Sequence, residues 1–121
     1  MKFRVLKNPG NWITVGVCHR KIVESRNFLF RYHTIGHGVY GISSNGGSWS
    51  HYRPDFNNRL CGVAFKENET VTVMYDSASN RVRFVLDGRK YHLDIDPSER
   101  GCLNFCVVMY YKGDEVEMIT E

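Results

Sequence analysis

Cysteine and histidine are the residues of this chain with the most chemistry to offer. Cys18 and His19 are adjacent, a nucleophile beside a base. Successive residues of a strand point to opposite faces, so on a strand this pair cannot share a proton. His33, His37, His51 and His92 are scattered, and no spacing declares the third group that would orient a base. A zinc site takes about four ligands at close spacings. His33 with His37, and Cys102 with Cys106, are the only such pairs, and neither resembles a knuckle. The glycines at 36, 38, 41, 46 and 47 read as turn and strand-edge residues, without a following helix to cradle phosphate. The residues therefore predict no catalytic group, metal ligand or cofactor, and an enzyme is the last of the functional readings.

Recognition has better support. The stretch 26–37, RNFLFRYHTIGH, brings together Arg26, Phe28, Phe30, Arg31, Tyr32 and His33. Aromatic side chains and arginine dominate interface energies. Loops on a rigid scaffold are where binding residues concentrate. Arg26, Phe28, Arg31, Tyr32 and His33 are the expected partner-binding residues of this loop. The competing reading for Phe28 and Phe30 is that they pack beneath it. Trp12 and Trp49 fall in strand patterns and are expected in the core, where their large area is best used.

These side chains need a scaffold. The 121 residues fit one domain, and a chain of this size buries roughly two thirds of its unfolded surface. Residues 1–36 hold seven basic side chains and one acid, and the remainder is net −3. That asymmetry could favour an acidic partner, but it is not the dense basic patch of a nucleic-acid binder. No apolar run approaches the ~18 residues of a membrane span. The first ten residues lack the apolar core of a signal peptide. A reduced, cytoplasmic setting is expected, with Cys18, Cys61 and Cys106 as small hydrophobes in apolar strand-like runs.

The clearest scaffold signal is Glu69 to Leu93. Val71, Val73 and Tyr75 alternate with Thr70, Thr72 and Met74, and Val82, Phe84 and Leu86 alternate with Arg81, Arg83 and Val85. A period of two puts one set on a buried face. Asp76 to Asn80 is a run of turn formers, and Asp87-Gly88 is a strong type I′ hairpin signal. Further strands are predicted at Phe3–Lys7 (with Phe3, Val5 and Lys7 on one side), Trp12–Cys18, Gly38–Ser44, from Ser48, Leu60–Lys66, Arg89–Ile95, Leu103–Tyr111 and Glu115–Ile119. Gly16 inside the second predicts a close backbone approach or a bulge. Residues 19–38 read as a long connection with room for a short helical turn near 21–26. Nine or ten short strands without long helices predict an all-β, antiparallel two-sheet β-sandwich in one domain, 1–121. A barrel is the alternative.

In this order the segments resemble a SPRY domain, the core of the B30.2 module. WITVGVC at 12–18 is similar to the family's early Trp-containing strand. HGVYGISSNGGSWSH at 37–51 stands where the family has two aromatic strands and a turn. ETVTVMYDSASNRVRFVLDG at 69–88 is similar to its signature meander, RKYHLDI at 89–95 to the strand that follows, and LNFCVVMYYKGDEVEM at 103–118 to its closing pair. Departures are Met74-Tyr75-Asp76, Asn80 in place of the turn glycine, and Phe105 or Cys106 in place of a proline. The PRY extension of a full B30.2 module is not expected. The resemblance implies a bent sandwich of concanavalin-like topology and a non-enzymatic role in protein binding, as an adaptor or scaffold, often associated with ubiquitin ligases. It implies that the partner surface also uses Lys7, Asn8 and Asn11 after the first strand, and Tyr110 and Tyr111 at a strand end. The partner would be a protein or peptide, neither nucleic acid nor membrane. A glycan-binding lectin and a structural subunit of a large complex are the competing readings. An exposed Trp49 would favour the lectin, and a large exposed apolar patch the subunit.

Overall fold

A computed structural model describes residues 1–30, 36–99 and 103–120. Their strands are β1 (Lys2–Lys7), β2 (Ile13–His19), β3 (Val39–Ser43), β4 (Gly47–Ser50), β5 (Arg59–Leu60), β6 (Thr70–Asp76), β7 (Arg81–Leu86), β8 (Arg89–Asp94), β9 (Leu103–Met109) and β10 (Glu115–Ile119). A helix, α1 (Arg20–Ser25), follows β2, and a single tight helical turn covers Pro54–Phe56. Two antiparallel five-stranded sheets, in the orders β10-β1-β6-β7-β8 and β5-β4-β3-β2-β9, pack face to face. The fold is an all-β sandwich. No described helix is long and apolar enough to cross a membrane.

The meander β6-β7-β8 follows its alternation. Val71, Val73, Val82, Phe84 and Leu86 are buried, and they meet Ile13, Val15, Val17, Tyr40 and Ile42 from the other sheet in one core. Asp87 and Gly88 have φ of 48° and 78° between paired Leu86 and Arg89. Both central residues thus take the left-handed geometry that a type I′ turn demands. Asn80 also sits at positive φ, and its side-chain Nδ2 donates to the Ile95 carbonyl at 2.9 Å. Tyr75 faces inward by register with Val82, but it lies at the sheet's end and is exposed.

β2 is buried along its whole length. On its outer face Gly16 stands opposite Gly41 of β3. A Cβ on Gly16 would sit 1.9 Å from the Tyr40 carbonyl oxygen, and one on Gly41 2.6 Å from Thr14 Cγ2. The predicted close approach is therefore present, and only glycine fits it.

Four expectations need correction. Leu60–Lys66 is not a strand: only Arg59–Leu60 pairs with β4, and Leu60 is exposed. Gly62 at φ 76° breaks the extension, and Val63 and Phe65 reach the core from an irregular run held by Cys61 N–H to Gly46 and Phe65 N–H to Ser44. Lys7 does not share the face of Phe3 and Val5. A register shift after Val5 turns it to solvent, with Nζ 3.0 Å from Glu115. Trp12 precedes β2 rather than opening it, and β9 ends at Met109, leaving Tyr110 and Tyr111 beyond the ladder.

The two faces of the meander make a direct test. Phe84→Ala should lower unfolding free energy by about 3–5 kcal/mol, whereas Met74→Ala on the opposite, solvent face should stay within about 0.5 kcal/mol. Urea titration of both variants measures the difference. Equal losses would overturn the face assignment.

Candidate recognition cleft

Three connections converge beside the end of β9. The first is the β1–β2 turn. Asn11 takes φ 50°, its N–H donates to the Asn8 carbonyl, and the Asn8 N–H donates to Glu67 Oε1 at 3.0 Å. Gly10 in this turn lies flat under the Tyr111 ring, where a Cβ would sit 2.0 Å from a ring carbon. The second is the loop after α1. Asn27 and Phe28 both have positive φ, 54° and 60°. For Phe28 this is a strained geometry, of the kind that persists where the surroundings impose it. The Phe28 N–H is held by the Val23 carbonyl at 2.9 Å, and the ring is turned out, 73% exposed. The third is the β9–β10 turn, in which the Tyr111 N–H donates to Asp114 Oδ2 and the Asp114 N–H returns to the Tyr111 carbonyl. Tyr110 is 77% exposed and meets Tyr111 edge-on at 5.1 Å.

Between them lies a cleft of about 660 Å³. Asn11, Phe28, Tyr110 and Tyr111, four of the residues expected to bind a partner, form its walls. No charged side chain lines it among the described residues. Trp12, Asn45, Trp49, Asn58 and Met109 also line it and were not anticipated there. Trp49 is buried, but not in the sandwich core. It stands opposite Gly41 on the outer face of its sheet, in a ring cluster with Trp12 and Phe30 at 6.1 and 6.0 Å. Phe30 also meets His37 at 4.8 Å. Phe30 thus packs under the loop while Phe28 points out of it.

The other expected binding residues lie elsewhere. Asn8 sits behind the turn and supports Asn11, its Nδ2 3.5 Å from Asn11 Oδ1. Lys7 pairs with Glu115. Arg26 faces the return of the loop, its guanidinium 3.5 Å from where a Gly36 Cβ would be. None of these three lines the cleft. Arg31, Tyr32 and His33 fall outside the described residues, as does Cys102.

A second cavity of about 400 Å³ adjoins the first and shares Phe28, Leu29 and Phe30 with it. Cys18 and Cys106 line it. A hydrogen bond between the two thiols lowers the Cys18 pKa, and the same contact with burial raises that of Cys106. His19 points to the inner side, toward Tyr40, so Cys18 and His19 do face apart as strand geometry requires.

Spacing gave no hint of the histidine cluster at the far end of β2. His19 Nε2, His51 Nε2 and a Glu99 oxygen lie within 4.8 Å of one another. The hydrogen bonds assign their protons. The Gly38 N–H donates to His51 Nδ1 at 2.9 Å, so the ring proton is on Nε2 and is donated to Glu99 Oε2 at 2.5 Å. Asp96 N–H donates to the Tyr40 hydroxyl oxygen, whose own proton is then directed at His19 Nε2, 2.8 Å away. Burial raises the Tyr40 pKa and keeps that proton in place. A metal ion on His51 Nε2 would need a proton on Nδ1 and an acceptor beyond it, whereas Nδ1 faces a backbone donor. The same capped nitrogen leaves His51 no free base to offer a nucleophile. The arrangement ties the ends of β2, β3 and β4 to the 96–99 turn.

Comparison of the chain with family models, with curated protein sequences and with solved structures returns no match. The cleft must be read from its own residues.

His37 closes the loop that forms the cleft. Its Nδ1 accepts the Val39 N–H and its Nε2–H donates to Asn57 Oδ1 at 2.8 Å. Burial above all lowers its pKa to about 4, with His51 and Arg26 adding to the shift against the Asn57 bond. The folded state thus holds it neutral, while the unfolded chain protonates it near its ordinary 6.5. The stability it contributes is complete above about pH 6.5 and is lost as pH falls toward 4, a change of roughly 3 kcal/mol. Guanidinium unfolding at several pH values should show this loss in the wild type and a much smaller one in His37→Gln. Identical pH profiles would refute the assignment.

Proposed function

We propose that this chain is a protein-recognition domain of the SPRY type, which takes a peptide or loop of a partner protein into the cleft beside the end of β9. The observation that carries the reading is the convergence of Asn11, Phe28, Tyr110 and Tyr111, up to 100 positions apart in sequence, on one cleft with no charged lining among the described residues. Rigid aromatic rings with amide groups among them are the chemistry of a peptide-binding surface. The strained backbone at Phe28 supports the same reading, since strain of this kind clusters at ligand contacts. The resemblance of the strand sequence to SPRY domains adds the expected role of a cytoplasmic adaptor or scaffold. A link to ubiquitin ligases would run through another segment or chain. No cofactor enters this function. The lectin reading loses its main support because Trp49 is only 3% exposed and cannot stack on a sugar.

Phe28 permits a test that separates binding from folding. Asparagine tolerates φ near +60° better than phenylalanine, so Phe28→Asn should hold or raise stability by about 1 kcal/mol. The same change, combined with Tyr110→Ser, should weaken binding to peptides tiled from an affinity-captured partner by about tenfold or more. Fluorescence anisotropy reads the binding and thermal melting the stability. Unchanged affinity in the folded double variant would sink the proposal.

A further inference from the structure

Four strands end the two sheets: β10 and β8 in one, β5 and β9 in the other. An open edge is a template for another strand, and natural proteins blunt it with charge, proline or brevity. β10 carries Glu115 and Glu117, β8 carries Arg89, Lys90 and Asp94, and β5 is two residues long. β9 has none of these protections. Its seven residues, LNFCVVM, hold no charge, proline or glycine. One side of it is paired with β2 throughout, and the other has no strand partner among the described residues.

Among the described residues the sandwich is also uncovered on that side. Phe105 stands opposite Val17 and Met109 opposite Ile13, so both face the core side of their sheet. They are nevertheless 38% and 52% exposed. Met118 of β10 stands opposite buried Phe3 and is 48% exposed. The Tyr91 hydroxyl of β8 lies 3.2 Å from Ser48 of β4, so β8 lies over β4. The opposite ends of the two sheets, β10 and β9, then share one side of the sandwich. Inward-facing apolar residues exposed beside an unprotected edge call for a cover.

We propose that β9 pairs antiparallel with β9 of a second copy of this chain, joining two five-stranded sheets into one of ten. A two-fold interface must be self-complementary. Centred on Cys106, the pairing sets Phe105 against Val107, Asn104 against Val108 and Leu103 against Met109, and no like charges meet. The same pairing through β10 would set Glu117 against itself. An edge without charge gives a foreign strand little to be selected by, while it removes the usual obstacle to self-association.

Sedimentation equilibrium of the wild type at about 100 μM should give twice the 14.0 kDa of one chain, a concentration at which an interface of even micromolar strength is filled. Phe105→Lys places an inward-pointing charge on the edge and should give a monomer. Asn104→Lys, on an exposed outer-face side chain that the fold does not need, should shift the equilibrium the same way. Circular dichroism establishes that each variant is folded. Glu117→Lys and Phe28→Asn should leave the dimer intact, which separates this interface from β10 and from the cleft. A monomeric wild type, including one that instead binds a peptide along β9, overturns the proposal. So does a dimer that survives both lysine substitutions.

Discussion

The structure depends on β2 being covered on both faces. Its inner face, Ile13, Val15 and Val17, is met by the opposing sheet. Its outer face, Thr14, Gly16 and Cys18, is also buried, and no described strand supplies that cover. The helix α1 and the loop after it do. Gly38 admits Ile22 and Val23 of the helix at 3.1 Å from where its Cβ would be, and Phe30 closes over Trp12 and Trp49. A sheet with large side chains on its solvent side leaves apolar area in water unless a third layer arrives, at about 25 cal/mol for each Å². The cleft is the margin of that third layer. It forms where half-buried Phe30 gives way to Phe28, which the chain turns outward.

Holding such a layer requires its polar backbone to be satisfied, and the histidines do this. The Gly38 and Val39 amides, at the point where the loop re-enters β3, are accepted by His51 and His37. A buried amide without a partner costs of order 1–3 kcal/mol. Each histidine can accept only while neutral, which ties the closing of the loop to deprotonated imidazole. Here burial and hydrogen bonding act together, since the apolar layer that needs anchoring is also what suppresses the charge on His37.

Much of the sandwich was legible because alternation is a local signal. The meander and its two turns could be placed from neighbouring residues alone, whereas the helix after β2, which shows no helical period, was legible only as room for a short turn in a long connection. Leu60–Lys66 misled because Val63 and Phe65 are buried as strand residues would be, yet Gly62 at positive φ removes the ladder. The two tryptophans misled for another reason. Hydrophobicity predicts burial but not against which layer, and the outer-face cluster exists only because a loop with no periodic pattern folds back over it. Of the candidate site, aromatic composition pointed to Phe28, and the resemblance to Asn11, Tyr110 and Tyr111. Asn45 and Asn58 reach the cleft from turns whose residues serve backbone geometry and carry no signal of the surface they flank. The cluster of His19, His51 and Glu99 spans some eighty positions, and no spacing rule covers contacts made by sheet order.

Part of the charge of the first third of the sequence is paired in the fold, where Lys7 meets Glu115 and Arg20 meets Glu24. Exposed pairs of this kind add little stability, and only the Lys7 pair draws on an acid from outside that third. Among the described residues, no charged side chain lines the cleft or lies on the sheet edge that it meets at the end of β9. For the association proposed above, these described surfaces would contribute shape and hydrogen bonds made at contact rather than long-range steering. Recognition of that kind rewards a rigid surface. The docking of Tyr111 on Gly10 supplies rigidity at one wall, because that ring cannot move inward without disturbing the backbone beneath it.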